Sequence, residues 1–136
     1  MQLVCICNLF ALMDKHRNAC NINDVIKNHG LKWSVIRHTI VTHFTKPRVW
    51  SASQLMEAIE WPDISTIYRN LKKLTERELI EPLLVHNGQT YYEWSERDHH
   101  DHVICSDCDA VECVPCPTPK LNSHRLQLHD LCSSCR

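Results

Sequence analysis

Along the 136-residue chain, apolar positions recur at helical spacing through the first half and change to a strand-like pattern near residue 80. Asn23 is placed to cap a short helix over Asp24–His29, and Gly30 stands where a C′ glycine would end it. Ser34 precedes a stripe of Val35, Ile36, Ile40, Val41 and Phe44, closed by Pro47. Ser51 caps a helix carrying Leu55, Met56 and Ile59 that ends at Trp61-Pro62. Asp63 starts the next, with Ile64, Ile67, Leu71 and Leu74 on one face and Arg69, Lys72, Lys73 and Arg77 on the others. Two strand-like runs, Leu83–Val85 and Thr90–Trp94, then flank Asn87-Gly88, a strong hairpin signal. Three or four short helices followed by a hairpin predict a winged helix-turn-helix.

Composition changes where that pattern ends. The 9 cysteines and 10 histidines are the anomaly in an otherwise ordinary globular composition, with 43% hydrophobic and 23% charged residues. Six of the cysteines (Cys105, Cys108, Cys113, Cys116, Cys132, Cys135) fall in the last 32 residues. Residues 1–97 carry 12 Lys/Arg and 10 Asp/Glu, whereas residues 98–136 carry 3 and 6. The net charge of -1 excludes a polycation, so any nucleic-acid role rests on a local basic face. Two domains follow: residues 1–95, with an N-terminal extension 1–22, and residues 96–136. The apolar stretch Leu3–Met13 falls short of the roughly 20 residues that span a bilayer. It has no basic n-region, so neither a membrane span nor a secretory signal is expected. In a cytoplasmic setting, paired cysteines read as metal ligands rather than disulfides.

In a helix-turn-helix the second helix presents its N-terminal side chains to the major groove. Here these are Ser65, Thr66, Tyr68, Arg69 and Asn70, which offer hydroxyls, a phenol, a guanidinium and an amide to phosphates and base edges. Lys72 and Lys73 would lie nearer the phosphates.

The C-terminal part carries the metal chemistry. Cys105-x-x-Cys108 and Cys132-x-x-Cys135 are thiolate pairs of the kind that close a tetrahedral, structural Zn²⁺ site. A third pair, Cys113-x-x-Cys116, leaves other pairings open. His99-His100-Asp101-His102 leads into the first of these pairs. On a strand, His100 and His102 point one way and His99 and Asp101 the other, so one strand can feed two separate N/O metal sites. Such sites suit exchangeable Zn²⁺, Fe²⁺ or Mn²⁺.

From about Gly30 to Cys135 the chain resembles the ferric uptake regulator family of metal-responsive repressors. The resemblance rests on Gly30-Leu31-Lys32, Ser65-Thr66-Ile67-Tyr68-Arg69-Asn70-Leu71, Tyr92-Glu93 and His99-His100-Asp101-His102 leading into Cys105-x-x-Cys108. His124-x-Leu126-x-Leu128 and Cys132-x-x-Cys135 complete it. It implies an α+β fold, an N-terminal winged helix-turn-helix domain followed by a small strand-rich zinc-binding dimerisation domain. It also implies a cytoplasmic homodimer that binds a palindromic double-stranded DNA operator when metal-loaded. Cys105, Cys108, Cys132 and Cys135 would share the structural zinc. Tyr68 and Arg69 would contact DNA from the recognition helix, and Lys32 would approach the minor groove. Glu93, His100 and His102 match a hinge regulatory site, and His99, Asp101 and His124 a second one.

Two departures from the family pattern matter. The usual histidine before the third helix is replaced by Val49-Trp50, so Glu81 is put forward as the fourth hinge ligand. Between Val114 and His124 three prolines stand where the family has its dimerisation helix and a carboxylate ligand. Glu112, Cys113 or Cys116 then replaces that ligand, or the second site is degenerate. The extra thiols lean the reading toward a zinc-sensing branch, although Cys113 and Cys116 could equally confer redox sensitivity.

The expected function is a metal-dependent transcriptional repressor controlling metal homeostasis, with no membrane and no small organic substrate as partner, and not an enzyme. The alternative is a zinc-ribbon interaction or zinc-buffering module without a specific operator. A metallohydrolase using the histidine cluster, with Asp101 or Glu93 as base, ranks last.

Overall fold

The computed structural model describes residues 21–118, 124 and 126–136. The apolar stretch Leu3–Met13 and the remaining cysteines, Cys5, Cys7 and Cys20, lie outside them. The chain divides into two compact units between Arg97 and Asp98.

The first unit runs α1 (Ile22–Asn28), α2 (Val35–Phe44), β1 (Trp50–Ser51), α3 (Ala52–Ile59), α4 (Ile64–Glu76), β2 (Ile80–His86) and β3 (Gln89–Trp94). The cap of α1 is Asn21, not Asn23, and its side chain accepts the Asn23 N–H at 3.0 Å. The earlier start lets Ile22 join Val25 and Ile26 against the core. Asn23 instead accepts the indole N–H of Trp33 at 2.9 Å. Gly30, at φ +71°, closes the helix with its N–H on the Lys27 carbonyl. Ser34, Ser51 and Asp63 cap α2, α3 and α4 as their sequence positions predict, and Ser51 forms a reciprocal capping box with Gln54. Val35, at the first turn of α2, departs from the predicted stripe and is 57% exposed.

Ile26, Ile40, Phe44, Leu55, Ile67, Leu71 and Leu74 meet in one core, closed by Leu79 and Ile80. The hairpin turns at Asn87 and Gly88, both at positive φ (50° and 72°), the combination a two-residue type I′ turn requires. The strands stand in the order β1-β3-β2, all antiparallel, with β1 an element too short to show a period in sequence. The α3–α4 pair with this hairpin is a winged helix-turn-helix.

The second unit is a three-stranded sheet, β4 (Asp101–Cys105), β5 (Val111–Val114) and β6 (Gln127–Asp130), in the order β5-β4-β6. β5 runs antiparallel and β6 parallel to β4, and every residue of the central strand is buried. Residues 115–118 are not helical, and 119–123 lie outside the described residues. Among the described residues no helix is long and apolar enough to cross a membrane.

Candidate metal centres and nucleic-acid face

On α4 the N-cap decides which polar side chains stay free. Asp63 accepts both the Thr66 N–H (2.8 Å) and its hydroxyl (2.9 Å), which hold its carboxyl below the ordinary carboxylate range. Thr66 is therefore engaged with the cap, and its oxygen also accepts from the Arg69 guanidinium at 3.3 Å. Ser65, Tyr68, Arg69, Lys72 and Lys73 are exposed. Tyr68, at 51%, is a large aromatic left in solvent on a helix whose opposite face is fully packed. Asn70, expected among the base-reading side chains, is buried and donates to the Thr66 carbonyl at 2.9 Å. One residue beyond Arg69 is a 100° turn, enough to carry it onto the core side. Lys32 is exposed in the α1–α2 connection, where its carbonyl accepts from the buried Arg37 guanidinium.

Glu81 and Glu93 face each other across the β2–β3 ladder. Like charges so placed repel, and the Arg97 guanidinium stands 3.7 Å from the buried Glu93 carboxylate, in a contact that sequence reading missed. An (i, i+4) spacing was its only signal. Arg97 also donates to the carbonyls of Lys46 and Arg48. Val49 and Trp50 are core residues, and the indole N–H of Trp50 is bonded to the His43 carbonyl at 3.0 Å.

Three ligand groups gather in the second unit. Cys105, Cys108, Cys132 and Cys135 bring four sulfurs within 4.8 Å of one another, and none of the described cysteines is in a disulfide. The Cys108 and Cys132 sulfurs stand 3.6 Å apart. Sulfurs about 2.3 Å from a tetrahedral zinc would stand roughly 3.8 Å apart, so the set fits that ion. Backbone N–H groups of Cys108 and Cys132 pull the Cys105 thiol down to about 6, whereas hydrogen bonding with the Cys132 and Cys108 thiols pushes Cys135 up. Four adjacent thiols cannot all ionise without a cation among them, and the knuckle amides prepare one for it.

The other two groups lie on the two faces of β4. His102 pairs with Cys113 and Asp101 with Val114. Cross-strand neighbours share a face, so Cys113 joins His100 and His102, and Cys116 joins His99, Asp101 and His124. In the latter group the His124 Nε2 is 3.3 Å from His99 Nε2, 3.3 Å from Cys116 Sγ and 3.4 Å from Asp101 Oδ2. Thr118 Oγ1 also lies 3.3 Å from that nitrogen. Burial pushes the Asp101 carboxyl up, but hydrogen bonds with Cys116, His124 and the Leu126 N–H outweigh it and hold it below the ordinary range.

Of the three residues weighed to complete the second site, the structure thus brings Cys116 there and Cys113 to the opposite face. Glu112 is in neither group: it accepts the Ser133 N–H (3.1 Å) and hydroxyl (2.8 Å). Cys113 beside His100 and His102 was not assigned from sequence, because the β4–β5 register that places it is non-local.

A family model described as the ferric uptake regulator family matches residues 28–125. The chain belongs to the ferric uptake regulator family. It is a metal-dependent, DNA-binding transcriptional regulator of that family, not an enzyme. The ferric uptake regulation protein of Campylobacter upsaliensis is 28% identical over 133 residues, spanning 82% of this chain and 84% of its own. The Vibrio cholerae ferric uptake regulator has the same fold, with a TM-score of 0.70 at 24% identity over 81% of this chain and 98% of its own. The Helicobacter pylori ferric uptake regulator, described as having three functional metal binding sites, matches with a TM-score of 0.65 at 25% identity, covering 84% of this chain and 88% of its own.

Proposed function

We propose that this ferric uptake regulator family member is a repressor that binds a palindromic operator as a homodimer when metal-loaded and controls metal homeostasis. Residues 1–95 read DNA and residues 96–136 hold metal and the dimer contacts. The observation that carries the reading is a single short chain with an exposed Tyr68–Arg69 recognition face, followed by a strand whose two faces both gather metal ligands. The three ligand groups of the second unit match in number the three functional metal sites described for the Helicobacter pylori relative.

Cys105, Cys108, Cys132 and Cys135 would hold a structural zinc that ties β4 to the C-terminal segment. His100, His102 and Glu93, matched by the family resemblance, with Glu81 put forward in place of the missing histidine, form the proposed regulatory set. His99, Asp101 and His124 form the second. The regulatory ion is Zn²⁺, Fe²⁺ or Mn²⁺; when bound, it supplies a fixed charge that holds its ligands in one arrangement. Because the ligand-organised state is also the one that meets the operator, metal and DNA raise each other's affinity by the same factor. Ser65, Tyr68 and Arg69 contact base edges and phosphates, with Lys32 approaching the minor groove and Lys72 and Lys73 nearer the phosphates.

The test substitutes alanine at His100 and His102 together. Metal-enhanced operator binding is lost while the four-sulfur zinc stays bound by metal analysis. Unchanged metal dependence in that variant would sink the regulatory assignment. If duplexes selected from a random pool yield no palindrome, the operator reading fails in favour of a zinc-buffering module.

A further inference from the structure

We infer that Cys116 and Cys113 are metal ligands that set specificity, so that both histidine sites of this regulator take thiophilic ions, Zn²⁺ above all, in preference to Fe²⁺ or Mn²⁺. The inference rests on the reading of the second unit as the metal-holding part.

The group of His99, Asp101, Cys116 and His124 offers two imidazole nitrogens, a carboxylate oxygen and a sulfur, all within 4.8 Å of one another. Atoms bound about 2.0–2.3 Å from a tetrahedral ion stand roughly 3.3–3.8 Å apart. The separations from His124 Nε2, at 3.3, 3.3 and 3.4 Å, already lie at that spacing. Four converged ligands close a tetrahedron and leave no position for the waters that a six-coordinate ion keeps. Cys116 also follows Pro115 and precedes Pro117, so its ligation pins a backbone stretch that cannot form a helix of its own.

On the opposite face His100, His102 and Cys113 supply two nitrogens and a sulfur. The sulfur is placed by the His102–Cys113 register pair, and not by loop geometry that could vary. Thiolate donors favour zinc and softer ions, whereas all-oxygen and octahedral sets favour Mn²⁺. One thiol on each face therefore moves both sites the same way. The two thiols lie on opposite faces of the sheet, which argues against their pairing with each other as a redox couple.

The test titrates Co²⁺ into the full chain with its four-sulfur zinc retained, as metal analysis checks. Cobalt is expected to show sulfur-to-cobalt charge-transfer absorption and intense tetrahedral bands. Cys116→Ser and Cys113→Ser should each remove part of the charge-transfer band, and the double variant all of it. A pale, six-coordinate spectrum without charge transfer in the unsubstituted protein overturns the inference, whether or not any variant folds. In Cys116→Glu the zinc-over-manganese preference should fall, because a hard carboxylate oxygen replaces a soft sulfur, and by roughly tenfold, the scale on which changes around a metal site alter affinity. An unchanged preference overturns the role of Cys116. Operator binding is measured separately: a sulfur band with metal-independent DNA binding sinks the repressor reading and leaves this one standing. Metal-dependent DNA binding with no sulfur band does the reverse.

Discussion

Arg69 and Asn70 are neighbours on α4 with opposite surroundings. The guanidinium of Arg69 is exposed, touches the Thr66 hydroxyl at 3.3 Å and stays open to a base edge. The amide of Asn70 is buried and spent on the Thr66 carbonyl. Arg69→Ala should remove about 1–3 kcal/mol of discrimination between the operator and a mismatched duplex. Asn70→Ala should leave that discrimination intact and lower stability by about 1 kcal/mol instead. Competition binding with matched and mismatched duplexes, alongside urea unfolding, separates the two. If Asn70→Ala lost discrimination while Arg69→Ala kept it, the orientation assigned to α4 would be wrong.

The element that carries these side chains is held at its start by one carboxylate. The Thr66 N–H and hydroxyl hold the Asp63 carboxyl below its unfolded value of 3.8. A depressed folded value means that the cap contributes fully above the unfolded value, and that its contribution is lost as pH falls through the folded one. Asp63→Asn keeps a capping oxygen but cannot titrate. The thermal midpoint of the unsubstituted protein should therefore fall more steeply than that of the variant once pH drops below about 4. Parallel acid profiles would show that Asp63 does not link α4 to pH. Caps of this kind were legible in sequence, because Ser34, Ser51, Asp63 and Asn87-Gly88 act through atoms within three residues. The division of His99 to His102 between two groups was legible for the same reason, although β4 itself starts only at Asp101 and His99 and His100 precede it. What stayed hidden was non-local: β1 is too short to show a period, and the start of α1 follows what Ile22 can reach. The division of Cys113 and Cys116 between faces follows the β4–β5 register. Arg97, whose partners include the Lys46 and Arg48 carbonyls, belongs with these.

For the whole molecule, the decisive contrast is between the cores of the two units. The first buries a continuous cluster from Ile26 to Ile80. In the second, the buried apolar positions among the described residues are Val103, Ile104, Cys105 and Cys132, and two of these are thiols of the four-sulfur group. A unit of about 40 residues without disulfides among its described cysteines buries too little to fold on hydrophobic burial alone. Metal-binding free energy then becomes folding free energy, because the four sulfurs are brought together only in the folded unit. Stripping the protein with a strong chelator should therefore abolish amide hydrogen-exchange protection in β4, β5 and β6. Protection in α2, α3 and α4 should persist, because their bonds rest on a core that contains no ligand. Restoring zinc alone should bring back the sheet protection. Persistent protection of β4–β6 after metal analysis shows the ions gone would mean that three short strands hold without them.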